Sequence, residues 1–543
     1  MSNATRAVST PPNGKIVLDA VHGYIHVGLD YCQYFIDTPG FQRLKRIEQT
    51  NMRPLYPCAH HDRFIHSLGT YHLGQMVCHY MRMNSGEYLR TTLKECGINF
   101  DELFENLKKT FEIACLLHDV GHTPFSHTFE DYFLLKKVES GEPVIDAILS
   151  GKNSVDGGIS IMHATNMNNE FTLFCSDYKK INTTAAPKPH EKTSAILVLS
   201  EYFDAILRFK VDPYLVARMI MGMAYRDELH DDNKAKLEKQ VYNLFIRLLN
   251  GKTIDVDKLD YLARDQWACG RGVAKNVDYE RLLSSLYIFP DPKRENKLDI
   301  CYHKRAISEI LALVQAKKAI TSTIHHHHLI KYDAYVLKKA IEEVASILGK
   351  SPDKIMGKDD IMGKIISLQA IKEDAVKIKE YTFRLLTDDD LIHIMKVHLT
   401  ESEHAQEWFY RKYRLRPVWK TSADYNYFFG DNEQTPIYSK IKDIIISFLE
   451  VNGIVSPKED EDFHLEEKLD DEYNQIAIPD INILIKDEVV KLDTIASVPP
   501  LKVRNAFFLL YVPKKILQEK RSELIEYIRR EAGKYSTAAK ESS

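Results

Sequence analysis

His118-Asp119 is the first place in this chain where chemistry is written into residue type. It lies in the stretch Leu116-Leu117-His118-Asp119-Val120-Gly121-His122. The pair closes an apolar run (Phe111, Ile113, Ala114, Leu116, Leu117), where a charge is costly to bury unless it is paired or holds a metal. A second histidine, His66, lies upstream in Arg63-Phe64-Ile65-His66-Ser67-Leu68-Gly69. A further acid, Asp257, lies downstream in Ile254-Asp255-Val256-Asp257-Lys258-Leu259-Asp260-Tyr261. The order His, His-Asp, Asp offers two imidazoles and two carboxylates to one cation. Such a donor set suits manganese, iron, nickel or zinc, and magnesium less well.

Other residues supply acid–base groups and cations. His122 and His127 follow His118 within ten positions, next to Glu130, and His190-Glu191 follows Pro189. If the helix continued through Gly121, His118 and His122 would be one turn apart. Asp257, Lys258, Tyr261 and Asp265 fall at i, i+1, i+4 and i+8, so Asp257, Tyr261 and Asp265 share one helical face. Taken alone, that face reads as a solvated, ion-paired surface; beside His66 and His118-Asp119 it reads as the wall of an anion site. Ser194 stands where the second histidine of HExxH would be, which argues against a zinc protease. The run His325-His326-His327-His328 points in several directions on a helix and cannot surround a single ion.

The elements that must position these residues are mostly helical. Asp37-Thr38-Pro39 ahead of Phe41, Leu44 and Ile47 predicts a helix start, and 69–83 and 103–117 carry the same periodicity. With 543 residues, two or more domains are expected. We expect a mainly α protein: a tail over 1–14, a helical catalytic core over 15–347, and a smaller mixed α+β lobe over 348–543. Gly157-Gly158, several asparagines and Lys188-Pro189 mark 150–189 as an insertion within the core. The runs 481–485 and 507–512 predict strands, the second followed by an amphipathic helix.

Composition excludes several classes. Hydrophobic content of 44% is ordinary for a soluble domain, and a net charge of −4 gives no electrostatic reason to expect nucleic acid. Eight scattered cysteines without a CxxC pair argue against a disulfide scaffold or a cysteine zinc site and suit a reducing, cytoplasmic setting. No run approaches the ~18 apolar residues of a membrane span, and the first residues lack the apolar stretch of a signal peptide, so neither is expected.

Taken together, the stretches 37–44, 63–69, 118–127 and 254–261 resemble those of the HD-domain phosphohydrolases. They are most similar to the deoxynucleoside triphosphate triphosphohydrolases, including the SAM-and-HD-domain enzyme and bacterial dGTPase relatives. The resemblance covers about 15–330 and includes no SAM domain. It implies an HD-domain helical fold and a metal held by His66, His118, Asp119 and Asp257. It further implies water attack at the α-phosphorus of a dNTP, giving deoxynucleoside and triphosphate, with magnesium accompanying the triphosphate. Arg63 and Lys258 match positions that hold phosphate oxygens. His127 and His190 match histidines near the leaving 5′-oxygen, helped by Glu130 or Glu191. Gln49 and Asp265 match groups on the sugar 3′-hydroxyl, and Tyr261 the aromatic against the deoxyribose. Lys317 and His327 match substrate-binding positions, but Lys317, Thr321 and His325 replace an arginine, a histidine and a tyrosine, so base preference does not transfer.

The same resemblance implies a homo-oligomer, dimer or tetramer, with dGTP as substrate or activator. Asp37 and Gln42 match the activator site, while Lys45 replaces an arginine there. Two other readings compete: an HD phosphohydrolase acting on nucleoside monophosphates or cyclic nucleotides, and a non-catalytic nucleotide- or nucleic-acid-binding module.

Overall fold

The computed structural model describes residues 14–152, 161, 167–226, 233–270, 277–290, 297–350, 356–429, 438–469, 478–486, 488–496 and 507–541. The expected tail therefore lies outside the described residues except for Gly14. So do 153–160 and 162–166 of the expected insertion; Asn168–Thr184 within it is a helix. The described chain is mainly helical with a few small sheets.

Two compact units are present, and neither is one continuous stretch. The first comprises Met1–Ala316, Glu342–Val397 and Ile476–Ser497; the second comprises Lys317–Ile341, His398–Gln475 and Val498–Ser543. All the metal-ligand and acid–base candidates fall in the first.

The first unit is built on two long helices packed side by side, Arg63–Glu95 and Phe100–Leu117. Asp62 caps the first by accepting the Ile65 N–H at 3.0 Å. Asn99 caps the second by accepting the Asp101 N–H at 3.1 Å, which relieves amide groups left without partners in the first turn. The second helix buries Phe104, Leu107, Phe111, Ile113 and Leu116, and Phe111 meets Phe245 edge-on with ring centroids 5.2 Å apart. Helices Pro189–Ser200, Pro213–Ile220, Asn233–Leu249 and Val256–Ala268 complete the surrounding layer.

The predicted helix start at Thr38 is present, with the Thr38 hydroxyl accepting from Phe41 N at 3.4 Å. It runs for one turn, Pro39–Gln42, before tightening into a 3₁₀ turn over Arg43–Arg46. Both predicted strands form. Asn482–Ile485 joins the first unit, where it pairs in parallel with Leu298–His303. Phe507–Pro513 lies at the centre of a three-stranded sheet in the second unit, between Leu415–Pro417 and His464–Leu469. Helix Lys514–Glu541 follows it, with a break at Lys520. That unit's core gathers Trp419, Tyr425, Phe448 and Phe508, and the Trp419 indole donates to the Phe508 carbonyl at 2.6 Å.

All eight cysteines are free thiols. Among the described residues no helix is long and apolar enough to cross a membrane.

Candidate metal centre and active site

Three helices bring their ends or faces to one point. The helix Arg63–Glu95 carries His66 in its first turn, Phe100–Leu117 ends at His118-Asp119, and Val256–Ala268 carries Asp257 in its first turn. The helix ending at Leu117 does not continue through Gly121, as the one-turn spacing of His118 and His122 had required. Gly121 instead binds the helix Pro189–Ser200: its N–H donates to the Ser194 hydroxyl at 2.9 Å, and its carbonyl accepts from Thr193 at 2.8 Å. A Cβ at position 121 would collide with the Thr193–Ser194 backbone, so this approach requires glycine.

The imidazoles of His66 and His118 face each other with Nε2 atoms 3.2 Å apart. Asp257 Oδ1 is 3.1 Å from the His66 Nε2 and 3.7 Å from that of His118. Asp119 oxygens stand 3.5 Å from each Nε2. Outside this ring, the His118 Nδ1–H donates to the Cys115 carbonyl at 2.8 Å, and His66 Nδ1–H to Asp260 at 2.7 Å. Both outer nitrogens thus carry the proton, and both inner nitrogens present lone pairs to one point with two carboxylates. This donor set and its supporting shell fit a first-row divalent cation.

Burial works against a charged imidazole at His66, but Asp257, Asp260 and Asp119 outweigh it and raise its pKa to about 10. His118 is raised by Asp119 and Asp257 in the same way, again against burial. Burial opposes ionisation of Asp119 and Asp257, yet neighbouring cationic groups hold both below the usual carboxylate range: Arg63 and His118 for Asp119, and His118 and His66 for Asp257. Without a metal, positive charge is drawn onto the histidines by the same carboxylates that would bind one.

A second cluster adjoins the first. The Glu130 carboxylate takes His127 Nδ1 at 3.0 Å and His190 Nδ1 at 2.6 Å. His122 stacks on His190 with ring centroids 4.0 Å apart, and its Nε2 lies 3.5 Å from Asp119 Oδ1. Among the described residues neither His122 nitrogen has a hydrogen-bond partner, although the ring is fully buried. Burial, with Arg63 and the neighbouring histidines, keeps His122 neutral. His127 is more than half exposed at its side chain, yet neighbouring protein still lowers its pKa to about 4; Glu130 opposes the shift, while His190 and Arg63 add to it. Glu130 is held far below its ordinary value by the two histidines, against the cost of burial.

The remaining predicted residues divide. Glu191 is not brought to the histidines; it accepts the Lys188 N–H at 2.8 Å and caps its own helix, because its side chain reaches back over the first turn. Arg63 pairs with Asp119 and donates to Ser126 Oγ at 2.8 Å. Lys258 turns back to Asp255 and to the Gly251 carbonyl, the latter at 2.6 Å. Asp265 is buried one turn beyond Tyr261, with Thr50 Oγ1 at 3.4 Å and His61 at 3.1 Å. Gln49 neighbours Thr50, and its N–H donates to the His61 carbonyl at 3.0 Å. Lys317 and His327 belong to the second unit, where Lys317 is buried and His327 stacks near His328.

Sequence reading missed His61, and it missed the network behind His66. Asp260 also accepts from His22 at 2.6 Å and from Arg264 at 2.9 Å, and Arg264 reaches Asp19 at 2.8 Å. Asp260 and Arg264 are one helical turn apart, which was visible. Their meeting with residues 19–22 was not.

Residues 63–157 match the HD domain. The SAMHD1 homolog of Dictyostelium discoideum, a deoxynucleoside triphosphate triphosphohydrolase, is 26% identical over 344 residues, covering 63% of this chain and 51% of that protein. Human SAMHD1 is 26% identical over 315 residues, 58% of this chain and 42% of its own. An uncharacterised protein of Methanocaldococcus jannaschii is 22% identical over 520 residues, 94% of this chain and 82% of its own. A crystal structure of a hypothetical protein from Aquifex aeolicus shares the fold, with a TM-score of 0.54, 18% identity, and coverage of 94% of this chain and all of that one. The chain carries an HD domain and is homologous to the SAMHD1-type dNTP triphosphohydrolases. It spans about half the length of the first curated relative, 51%, and 42% of the next two.

Proposed function

We propose that this chain hydrolyses deoxynucleoside triphosphates to deoxynucleoside and inorganic triphosphate, by attack of water on the α-phosphorus. The observation that carries the reading is the convergence of His66, His118 and Asp257 beside a histidine pair held by one carboxylate. His66, His118, Asp119 and Asp257 would hold a divalent cation: manganese, iron, nickel or zinc. When bound, such an ion supplies Lewis acidity toward a phosphate oxygen and a lowered pKa for water.

The chain's own residues do the rest. A bond forms from the water oxygen to phosphorus, the bond from phosphorus to the 5′-oxygen breaks, and that oxygen needs a proton. Glu130 accepts from Nδ1 of His127 and His190, so it is each Nε2 that can exchange that proton. An arriving polyanion favours the charged form of His127, and the ionised Glu130 stabilises the cation that forms. His122, buried and neutral, packs against His190 and limits its motion. Arg63 places a fixed guanidinium beside the phosphate path. Gln49 and Asp265 are assigned to the sugar 3′-hydroxyl, and Tyr261 to its carbon face, where a 2′-hydroxyl would be crowded.

The test is product analysis by phosphorus NMR and chromatography, with each dNTP alone and with all four together. Manganese, iron and magnesium are tried in turn, with Asp119→Ala alongside. We expect triphosphate and deoxynucleoside, with the rate falling by about 10³-fold or more in the variant. Survival of every dNTP, or release of pyrophosphate instead, removes the reading. Activity only in the mixture identifies an activator nucleotide.

A further inference from the structure

Two buried side chains outside both clusters hold the turn that carries the histidines. Arg43, in the 3₁₀ turn Arg43–Arg46, directs Nη2 to the carbonyls of Val120 at 2.9 Å and His122 at 2.8 Å. Its Nη1 reaches the Leu386 carbonyl at 2.8 Å. Asp388 opens the helix Asp388–Val397, and its two oxygens accept the N–H groups of Phe125 at 2.7 Å and Glu48 at 2.9 Å. The segment 386–388 thus grips the active-site turn at both ends, from more than 260 residues away in sequence.

The gripped turn has short-range hydrogen bonds of its own, Thr123 Oγ1 to the Ser126 carbonyl at 2.6 Å among them, but its backbone is strained. Phe125 and Ser126 have φ of 51° and 54°, backbone that non-glycine residues adopt only where the surroundings over-determine it. His127 follows at once in a single 3₁₀ turn, Ser126–Thr128, so no regular helix fixes it. Arg43 is buried and donates to three carbonyl oxygens. A buried guanidinium in that setting loses more hydration than an apolar side chain would, so stability alone does not account for it. Asp388 in the same way keeps a buried carboxylate on two main-chain amides.

We propose that Arg43 and Asp388 are positioning residues, which clamp the turn 120–127 and so set the placement of His122 and His127 for the reaction. The rate consequence rests on the function proposed above; the clamp does not. It makes the catalytic turn depend on a segment far outside the HD match at 63–157.

The test uses the metal-loaded full chain and the variants Asp388→Asn and Arg43→Gln. The neighbouring surface variant Asp389→Asn is the control, since Asp389 is exposed and pairs with exposed Arg46. We expect kcat on a dNTP to fall by about 10- to 100-fold in both clamp variants, because small misplacements of reacting groups carry costs of that order. KM and metal bound per chain stay within about twofold, and hydrogen–deuterium exchange across 119–130 accelerates. Asp389→Asn behaves as the parent. Parent-like kcat and exchange in both clamp variants overturn the proposal. So does loss of bound metal in step with loss of rate, which would mean a general structural role. If the parent itself releases no triphosphate, the functional reading fails and exchange decides the clamp: faster uptake in both variants upholds it, unchanged uptake overturns it.

Discussion

At the residue scale, Asp260 shows how much of a metal centre lies behind its ligands. It takes the Nδ1–H of His66, and also His22 and Arg264, while itself fully buried and held below its ordinary pKa range despite that burial. The charge on Asp260 fixes the tautomer and raises the basicity of His66 Nε2. Replacing Asp260 with Asn keeps the shape and removes the charge. We expect metal affinity to fall about 10- to 100-fold, read by titration against a chromogenic chelator, because loss of such outer partners carries that cost. Parent-like affinity in Asp260→Asn would show that the ligands alone set the site. The four ligand candidates were legible from residue type and order. Asp260 was legible only as part of a motif, since nothing in the sequence says that His22 and Arg264 converge on it.

At the element scale, the site depends on how closely two helices approach. Gly69 sits one turn after His66, where a Cβ would run into Asp260 and Arg264 on the helix Val256–Ala268. Glycine is required there for space rather than for backbone freedom. Gly69→Ala should destabilise the protein by about 1–3 kcal/mol, the usual cost of overpacking, and weaken metal binding with it. Urea unfolding of metal-free and metal-loaded protein measures both, and parent-like midpoints in both would contradict the packing argument. The capped starts at Asp62, Asn99 and Asp255 follow from local sequence, because an N-cap needs only its own next three residues. The early end of the His118 helix does not, because what stops it is Thr193 and Ser194, more than seventy residues away.

At the scale of the whole molecule, the first unit is assembled from three separated stretches of chain. Strand Asn482–Ile485 returns to pair with Leu298–His303, with Asn482 donating to Asp299 at 2.8 Å. The stability of this assembly should carry a pH signature from Asp388. Burial raises its pKa from 3.8 to about 7; Asp389 adds to the shift, while the Glu48 and Phe125 amides and Arg43 oppose it. The folded state therefore binds a proton more tightly than the unfolded state. The stabilising contribution is complete below pH ~4 and is lost as pH rises toward 7, with a slope of at most about 1.4 kcal/mol per pH unit. Subtracting the denaturation free energies of Asp388→Asn from those of the parent between pH 4.5 and 8 isolates this slope. A flat difference would show that the carboxyl titrates normally.

The sequence by itself determined which residues can do chemistry here and which local elements carry them. Imidazole and carboxylate donors are defined by residue type, and caps and helical faces by neighbours a few positions away. It also carried the likeness to HD phosphohydrolases, through four short stretches. Only the tertiary structure decided which donors meet, that Glu130 rather than Glu191 joins the histidines, and that Lys258 turns back to its own helix cap. It alone brought Arg43, Asp388, His22 and His61 to the site's surroundings. These are contacts between residues tens to hundreds of positions apart. They depend on burial and on the close approach of helices, which no local spacing records.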